Sequence, residues 1–583
     1  MHRPLVILFI ALLTTSLVRA DVKKLEPRLR RPVAMAASEN YKWLYVANRN
    51  SGSISIVDTS ARSVSNEIDL KGHLSDLETL DDTHLFALDK KNHQLIMLKG
   101  SGDQWEVASR LDIAHYPMRL KIDRAAKRCY ISSLWSQRVT MVDLSEVDEN
   151  LQPRLRIIMS LLLSFEPLEM CLARDGKNLV VAGAYKNSLA VIDTNGLKLI
   201  VTKKVPGHNI RGLAISGDGE RILLALQELN PLGQSTRDDV HWGNMLTNLL
   251  VSLSLDDLIE VDADFLKHRI VTHLGEPENG AGDPGPINVT STGMLSIVLS
   301  GVNEIAIQKH KDDFDFQRVS LGRRPIAVLS APDGRLFVAN QFSDSISLID
   351  VSRVKQVDLI PLGPQRELSP EERGEMLFFD SRLSHDGWMS CHSCHTDGHS
   401  SDQLNDNLSD GSFGAPKRVL SLLGVGQTAP WAWDGNVKTL EQQVMNSIQK
   451  TMQGDTPSAL QVKSLVAFMK KLPSPPAPFD IDTIQKSATI EQGRLLFKTL
   501  NCQRCHLPPT YTSSQTYDVG LKDETGNTRF NPPSLLAVSR RLSFFHDGRA
   551  LNLHDVFKAY KHQIDRVLTE PELDALLNFL STL

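Results

Sequence analysis

Cysteine is scarce, with six in 583 residues, which rules out the disulfide scaffold that holds small secreted domains together. A charge excess of one sign is missing too: 64 Lys and Arg stand against 69 Asp and Glu. Nucleic-acid binding normally needs a basic face, so no nucleic-acid partner is expected. A long apolar run occurs near the start, from Leu5 to Leu13 behind His2 and Arg3, and Val18-Arg19-Ala20 follows with small residues at cleavage spacing. This reads as a secretory signal peptide over residues 1–20, with the mature chain starting near Asp21. No later segment supplies the roughly eighteen apolar residues of a stop-transfer span, so the expectation is an exported, periplasmic protein without stable membrane insertion. What is present is ordinary. A composition of 41% hydrophobic and 23% charged residues excludes a disordered or collagen-like chain, and the length predicts several domains.

The front half repeats. Residues Tyr41 to Asp58 form two short alternating apolar runs joined by a polar turn, the signature of a β-hairpin. The pattern returns at Tyr130 to Asp143, Leu179 to Asp193 and Leu336 to Asp350, with weaker copies at Leu85 to Leu98, Ile222 to Leu255 and Leu295 to Ile307. Asn48 and Asn340 mark the first and seventh copies, at about 49 residues per repeat, which suits propeller blades. Residues 30–362 are therefore expected to form an all-β, seven-bladed β-propeller of four-stranded sheets, and the repeats resemble the YVTN type of exported bacterial proteins. Asp58, Asp143, Asp193 and Asp350 close the strong copies, where an aspartate caps the following turn. Two insertions interrupt the pattern: Gln227 to Asn248, containing Asp238, Asp239, His241 and Trp242, and Glu276 to Asn288, rich in glycine and proline. Both read as plain loops, although insertions carry function more often than repeats do. Cys129 and Cys171 fall in strand-like segments of neighbouring units and read as two buried thiols. A disulfide stays open, because spacing does not fix their Cα separation.

After Pro364 the period of two gives way to helical stretches: Pro370 to Phe379, Thr439 to Lys450, Ser458 to Lys471, Ile490 to Thr499 and Asn552 to Lys561. The proline cluster between Leu472 and Pro478 reads as an extended linker that divides an all-α region into residues 368–472 and 479–583. Each half holds one C-x-x-C-H, Cys391-His392-Ser393-Cys394-His395 and Cys502-Gln503-Arg504-Cys505-His506. Two thiols three positions apart reach the two vinyl groups of a haem, and the histidine that follows can ligate its iron. A redox C-x-x-C or a zinc site is the rival reading. Chance continuation of a given cysteine into x-x-C-H is about 3 in 10,000 at this composition, so two copies in an exported chain favour two covalently bound c-type haems. His395 and His506 are then the proximal ligands.

The segment from Arg373 to Ser384 ahead of Cys391, the run Trp433-Asp434-Gly435 with Leu440-Glu441, and Pro533-Ser534-Leu535 followed by Phe545-His546-Asp547-Gly548 resemble, in order, the first-haem, inter-haem and second-haem segments of bacterial dihaem cytochrome c peroxidases and MauG-type enzymes. The likeness covers residues 368–583 and not the propeller. It implies site roles for Trp433, Gln453 and His546. Trp433 matches the aromatic residue between the haems. Gly411 falls where some relatives carry a blocking histidine, so the first haem is expected to be open to hydrogen peroxide; His399 reads as a solvated or outer-sphere histidine. Counting fourteen residues from His546 lands on Tyr560, the expected sixth ligand of the second haem. Gln453 stands where the family has its distal glutamate, and an amide cannot take up a proton. Arg418, Arg541 and Ser543 fall on the family's calcium positions, and a guanidinium there argues against calcium. The resemblance thus implies an exported dihaem oxidoreductase that uses peroxide to oxidise a protein or small-molecule electron donor. The alternative is a dihaem electron-transfer or redox-sensing protein whose propeller is a binding module.

Overall fold

A computed structural model describes residues 25–145, 155–310, 315–408, 411–476 and 487–583. The expected signal peptide over residues 1–20 lies outside them, as does part of the proline linker. In blade 1 the strands Pro32–Ala37, Trp43–Asn48, Ser53–Asp58 and Ser63–Asp69 pair in order, all antiparallel. Six further four-stranded meanders follow over residues 74–112, 117–162, 167–204, 208–273, 284–320 and 325–361. The first strand of blade 7 packs beside that of blade 1, which closes the expected seven-bladed ring.

Burial explains the repeat. The middle strands are covered on both faces, whereas outer strands such as Ser63–Asp69 are partly exposed. Cores therefore form between blades: Tyr45, Ile56, Leu77 and Leu85 join blades 1 and 2, and Leu44, Val57, Phe337 and Leu348 join blades 1 and 7. The recurrent asparagine and serines have a shared role. Asn48 Nδ2 donates to Ser53 Oγ and Ser55 Oγ at 3.1 and 2.8 Å, and Asn340 Nδ2 to Ser345 Oγ and Ser347 Oγ at 3.2 and 2.9 Å. Each buried clasp satisfies polar groups that burial would otherwise penalise. The aspartates cap turns as expected; Asp58 accepts from Ser60 N and Asp350 from Ser352 N, at 2.8 and 2.9 Å. Cys129 and Cys171 are free, buried thiols in two different clusters.

The C-terminal half repeats a different unit. Helix Pro370–Phe378 packs on Ala459–Lys471, and helix Ser487–Thr499 packs on Glu570–Ser581. In each pair a glycine permits the crossing: a Cβ on Gly374 would run into the Ser464 carbonyl, and one on Gly493 into that of Ala575. An aromatic pair seals each crossing, Phe378 with Phe468 at 5.3 Å and Phe497 with Phe579 at 5.4 Å. Gly374→Ala is expected to destabilise the first unit by about 1–3 kcal/mol through overpacking; urea unfolding followed by the haem absorption of that unit measures it. The final helix has a capping box, Thr569 with Glu572, a signal that sequence patterning offers directly. The expected helix Thr439 to Lys450 is shorter, Leu440–Asn446, and widens into a π-turn over Ser447–Thr451. Two short ladders, Leu404–Asn405 with Lys417–Arg418 and Tyr517–Asp518 with Arg529–Phe530, interrupt the helical region. No helix among the described residues is long and apolar enough to cross a membrane.

Candidate functional site

Cys391–Cys394 form a single helical turn, so both thiols and the adjacent His395 face one cavity. Burial pushes the two thiols up to about 12. They are neutral, unlike the low-pKa thiolate of a redox C-x-x-C. His395 donates its Nδ1 proton to the Leu420 carbonyl at 2.8 Å, and burial lowers its pKa to about 4. The imidazole is thus neutral with Nε2 free to ligate, the arrangement a metal-binding histidine uses. The second site repeats this chemistry. Cys502, Cys505 and His506 line a cavity of their own, and His506 Nδ1 donates to the Tyr511 carbonyl at 3.1 Å with a pKa of about 4, again from burial.

Trp433 and Arg418 line both cavities. Trp433 is 8% exposed, and its indole N–H donates to the Arg418 carbonyl at 2.9 Å. Arg418 donates through Nε to the Phe545 carbonyl at 3.2 Å and pairs with Asp402 at 3.4 Å; Ser543 Oγ donates to the same carboxylate at 2.8 Å. Arg541 also borders both cavities, and burial first, then Arg418, lowers its pKa to about 9. Two of the positions compared above with calcium ligands, Arg418 and Ser543, thus meet on the Asp402 carboxylate.

His546 is 1% exposed, lines the second cavity, and has neither ring nitrogen hydrogen-bonded. Its ring stacks on Phe530 at 4.4 Å and meets Trp433 edge-on at 6.4 Å. A buried imidazole without partners is costly, and a group bound in this cavity would offer the missing contact. Two neutral histidines with free Nε2, four thiols in two C-x-x-C pairs and this unpartnered imidazole fit a haem in each cavity.

Three expectations shift. Tyr560 does not line the second cavity: it is 39% exposed and its hydroxyl donates to the Arg549 carbonyl at 3.0 Å. His562 lines the cavity instead, with its ring 5.4 Å from that of Phe545. Gln453 lies outside the lining of the first cavity, its amide donating to the Ser235 and Lys450 carbonyls at 2.6 and 2.8 Å. Gln443, one turn into the preceding helix, does line it; its Nε2 donates to Ser447 Oγ at 3.3 Å while Oε1 is unpartnered. Of the two readings of His399, the solvated one falls: the residue is buried and borders the first cavity, as an outer-sphere histidine would. Its nitrogens engage Ser421 Oγ and the Arg540 carbonyl at 2.9 and 3.2 Å, and Tyr185 and Trp135 of the propeller pack on its ring. Gly411 is exposed and borders neither cavity.

The propeller insertions, expected as plain loops, and His208 of the first strand of blade 5 grip the first C-x-x-C-H. Asp283 accepts from Ser390 Oγ and Ser393 Oγ at 2.5 and 2.6 Å, His208 Nε2 donates to the Ser393 carbonyl at 2.8 Å, and Asn248 Nδ2 to the Trp388 carbonyl at 3.0 Å. Gly280 and Gly282 pair their N–H groups with the carbonyls of Asp386 and Gly387, and a Cβ on Gly280 would crowd that backbone. The glycine-rich composition of residues 276–288 was the available signal, since close backbone approach needs glycine.

Residues 370–471 match the family described as di-haem cytochrome c peroxidase. The cytochrome c551 peroxidase of Nitrosomonas europaea is 26% identical over 284 residues, covering 38% of this chain and 84% of the relative. The methylamine utilization protein MauG of Methylorubrum extorquens is 27% identical over 260 residues, covering 36% and 74% respectively. Among solved structures, hydrazine synthase of Kuenenia stuttgartiensis aligns with a TM-score of 0.47 at 17% identity, over 57% of this chain and 98% of that one. Behind its seven-bladed β-propeller, this chain carries a C-terminal oxidoreductase region that is similar to the di-haem cytochrome c peroxidases and MauG.

Proposed function

We propose that the chain is an exported dihaem enzyme that takes hydrogen peroxide at the first site and draws electrons from a protein or small-molecule partner through the second. The observation that supports this reading most is the shared lining: Trp433 and Arg418 border both cavities. Cys391, Cys394 and His395 would hold one haem and Cys502, Cys505 and His506 the other, with His562 as a further candidate ligand at the second cavity. Haems held there would supply the electron-transfer chemistry that a two-electron reduction of peroxide needs.

The chain's own residues prepare that chemistry. The Leu420 and Tyr511 carbonyls fix the tautomer of each proximal histidine. Trp433 is clamped at both ends, by its indole N–H on Arg418 and by its carbonyl, which accepts from Asn531 N at 2.7 Å. A fixed indole between two redox sites keeps the distance for electron passage constant. Gln443 offers its free Oε1 to a peroxide O–H without removing the proton. Arg418 supplies positive charge between the sites and pairs with Asp402, which counts against a cation beside it. Gln453 ties the loop after the π-turn to the propeller at Ser235.

A second reading, electron transfer or redox sensing without peroxide chemistry, draws on one observation. Among the described residues lining the first cavity Asp402 is the single acid, and it is engaged by Arg418 and Ser543. Peroxide consumption by the holoprotein with a reduced donor separates the two. Consumption with saturable kinetics, slowed at least tenfold in Trp433→Phe with both haems retained, is the expected result. No consumption by the wild type would establish the second reading, and an unchanged rate in the variant would remove Trp433 from the electron path.

A further inference from the structure

The seam between propeller and first haem unit holds a cluster that neither haem cavity uses. His241 ends the short helix Arg237–His241 of the blade-5 insertion, and His385 and Asp386 form the turn just before Trp388. His241 Nδ1 lies 2.7 Å from Asp386 Oδ2, and His385 Nδ1 lies 3.4 Å from Asp386 Oδ1. One ligand atom from each of the three falls within 4.8 Å of the others. The side chains of His241, His385 and Asp386 are 28%, 17% and 14% exposed, so the cluster is largely covered but reachable from solvent.

Adjacent residues seldom aim their side chains at one point. Here Asp386 takes φ 56°, a left-handed turn that folds its carboxylate back beside His385. That conformation is disfavoured for residues other than glycine, with aspartate among the few that adopt it. Four contacts hold the turn. Glu278 N–H donates to Asp386 Oδ2 at 3.2 Å, Gly280 N to the Asp386 carbonyl at 2.7 Å, His385 N to the Met452 carbonyl at 2.9 Å, and Trp388 Nε1 to the His241 carbonyl at 3.2 Å. A single histidine–aspartate pair would account for one imidazole. Two imidazoles on one carboxylate, their rings 5.7 Å apart and 27° from parallel, make a convergent nitrogen and oxygen donor set drawn from both domains.

We propose that His241, His385 and Asp386 bind one divalent first-row cation with zinc-like preferences, which pins the propeller to the first haem unit. Two imidazoles and one carboxylate are common zinc donors, at about 2.0–2.2 Å from the metal, which places ligand atoms roughly 3.3 Å apart in a tetrahedron. The separations present bracket that value, so side-chain rotation on the fixed backbone completes the site. The fourth position falls to water, as at other three-ligand sites.

The test uses holoprotein without a histidine tag, treated with EDTA and desalted; haem iron is not removed by this. Zinc chloride is titrated calorimetrically, and bound metal is counted after equilibrium dialysis. One zinc per chain is expected, with a higher melting temperature in its presence. The double variant His241→Gln, His385→Gln is expected to bind zinc at least 100-fold more weakly with an unchanged haem spectrum. X-ray absorption at the zinc edge of the wild type, which needs no variant, is expected to show two imidazoles and oxygen. No stoichiometric zinc, undiminished binding by the variant, or a sulfur-containing shell would overturn the proposal, leaving an interdomain ion pair.

Discussion

Replacing Cys391 and Cys394 together with alanine is expected to leave covalent haem at the second site alone. Haem staining after denaturing electrophoresis would fall to about half per chain, and peroxide consumption would be lost, because the first site is the one proposed to receive peroxide. The remaining haem would keep its spectrum, since Cys502, Cys505 and His506 line a separate cavity. The propeller would persist as well: its cores lie between blades and enclose neither thiol. The first unit itself would loosen, as Cys391 and Cys394 pack against its core beside Phe378 and Leu465. An unchanged haem count would place attachment elsewhere. The mirror variant, Cys502→Ala with Cys505→Ala, is expected to retain the first haem but to stop sustained turnover with an electron donor.

What could be read from the sequence was whatever is local or periodic. The blades repeat because each hairpin meets the same neighbours, and the asparagine clasp, visible as Ala-Asn followed by Ser-x-Ser, recurs with them. C-x-x-C-H is a one-turn signature that needs no tertiary information. Expectation and structure part where positions were transferred by counting along the chain. Counting from His546 to Tyr560 assumes a continuous helix, but Leu553–Lys558 ends early, and Lys561 and Gln563 take φ of 45° and 52°. Those left-handed residues turn His562 toward the cavity. Counting from Trp433 to Gln453 fails similarly, because the π-turn Ser447–Thr451 and a φ of 53° at Gln453 intervene.

The seam was illegible for another reason. Asp283 and Ser393 are 110 residues apart, and nothing in either neighbourhood announces the other. Their meeting follows from where the propeller's insertions emerge relative to the first haem turn. Arg211 with Asp397 at 2.7 Å and Arg49 with Glu375 at 2.6 Å add charged contacts along the same seam. Burial alone would raise the Asp397 carboxyl, yet Arg211, His392 and Arg324 hold it well below the usual carboxylate range. The propeller is therefore a structural part of the first haem site, and a truncated C-terminal half is expected to lack that support.

His562→Ala is expected to change the ligand-field spectrum of the second haem, whereas Tyr560→Phe leaves it unchanged. His562 borders the cavity, its neighbour is the Phe545 ring, and a charge on it would depress the His506 pKa, which places the two imidazoles in electrostatic reach of each other. Burial also lowers the pKa of His562 and so keeps its nitrogen available to a metal. Tyr560 has its hydroxyl engaged by Arg549 on the exposed side of the same loop. Imidazole on both faces gives a low-spin site, whereas a phenolate donates negative charge and lowers the reduction potential. EPR and near-infrared spectra of the oxidised protein tell these apart. The wild type should show the bis-imidazole pattern, His562→Ala a high-spin signal for that haem alone, and Tyr560→Phe the wild-type pattern with a small loss of stability from the missing Arg549 hydrogen bond, about 1 kcal/mol. The reverse result, a spectrum altered by Tyr560→Phe and indifferent to His562→Ala, would restore tyrosine as the ligand and would require the loop after Lys558 to continue as helix when haem is bound.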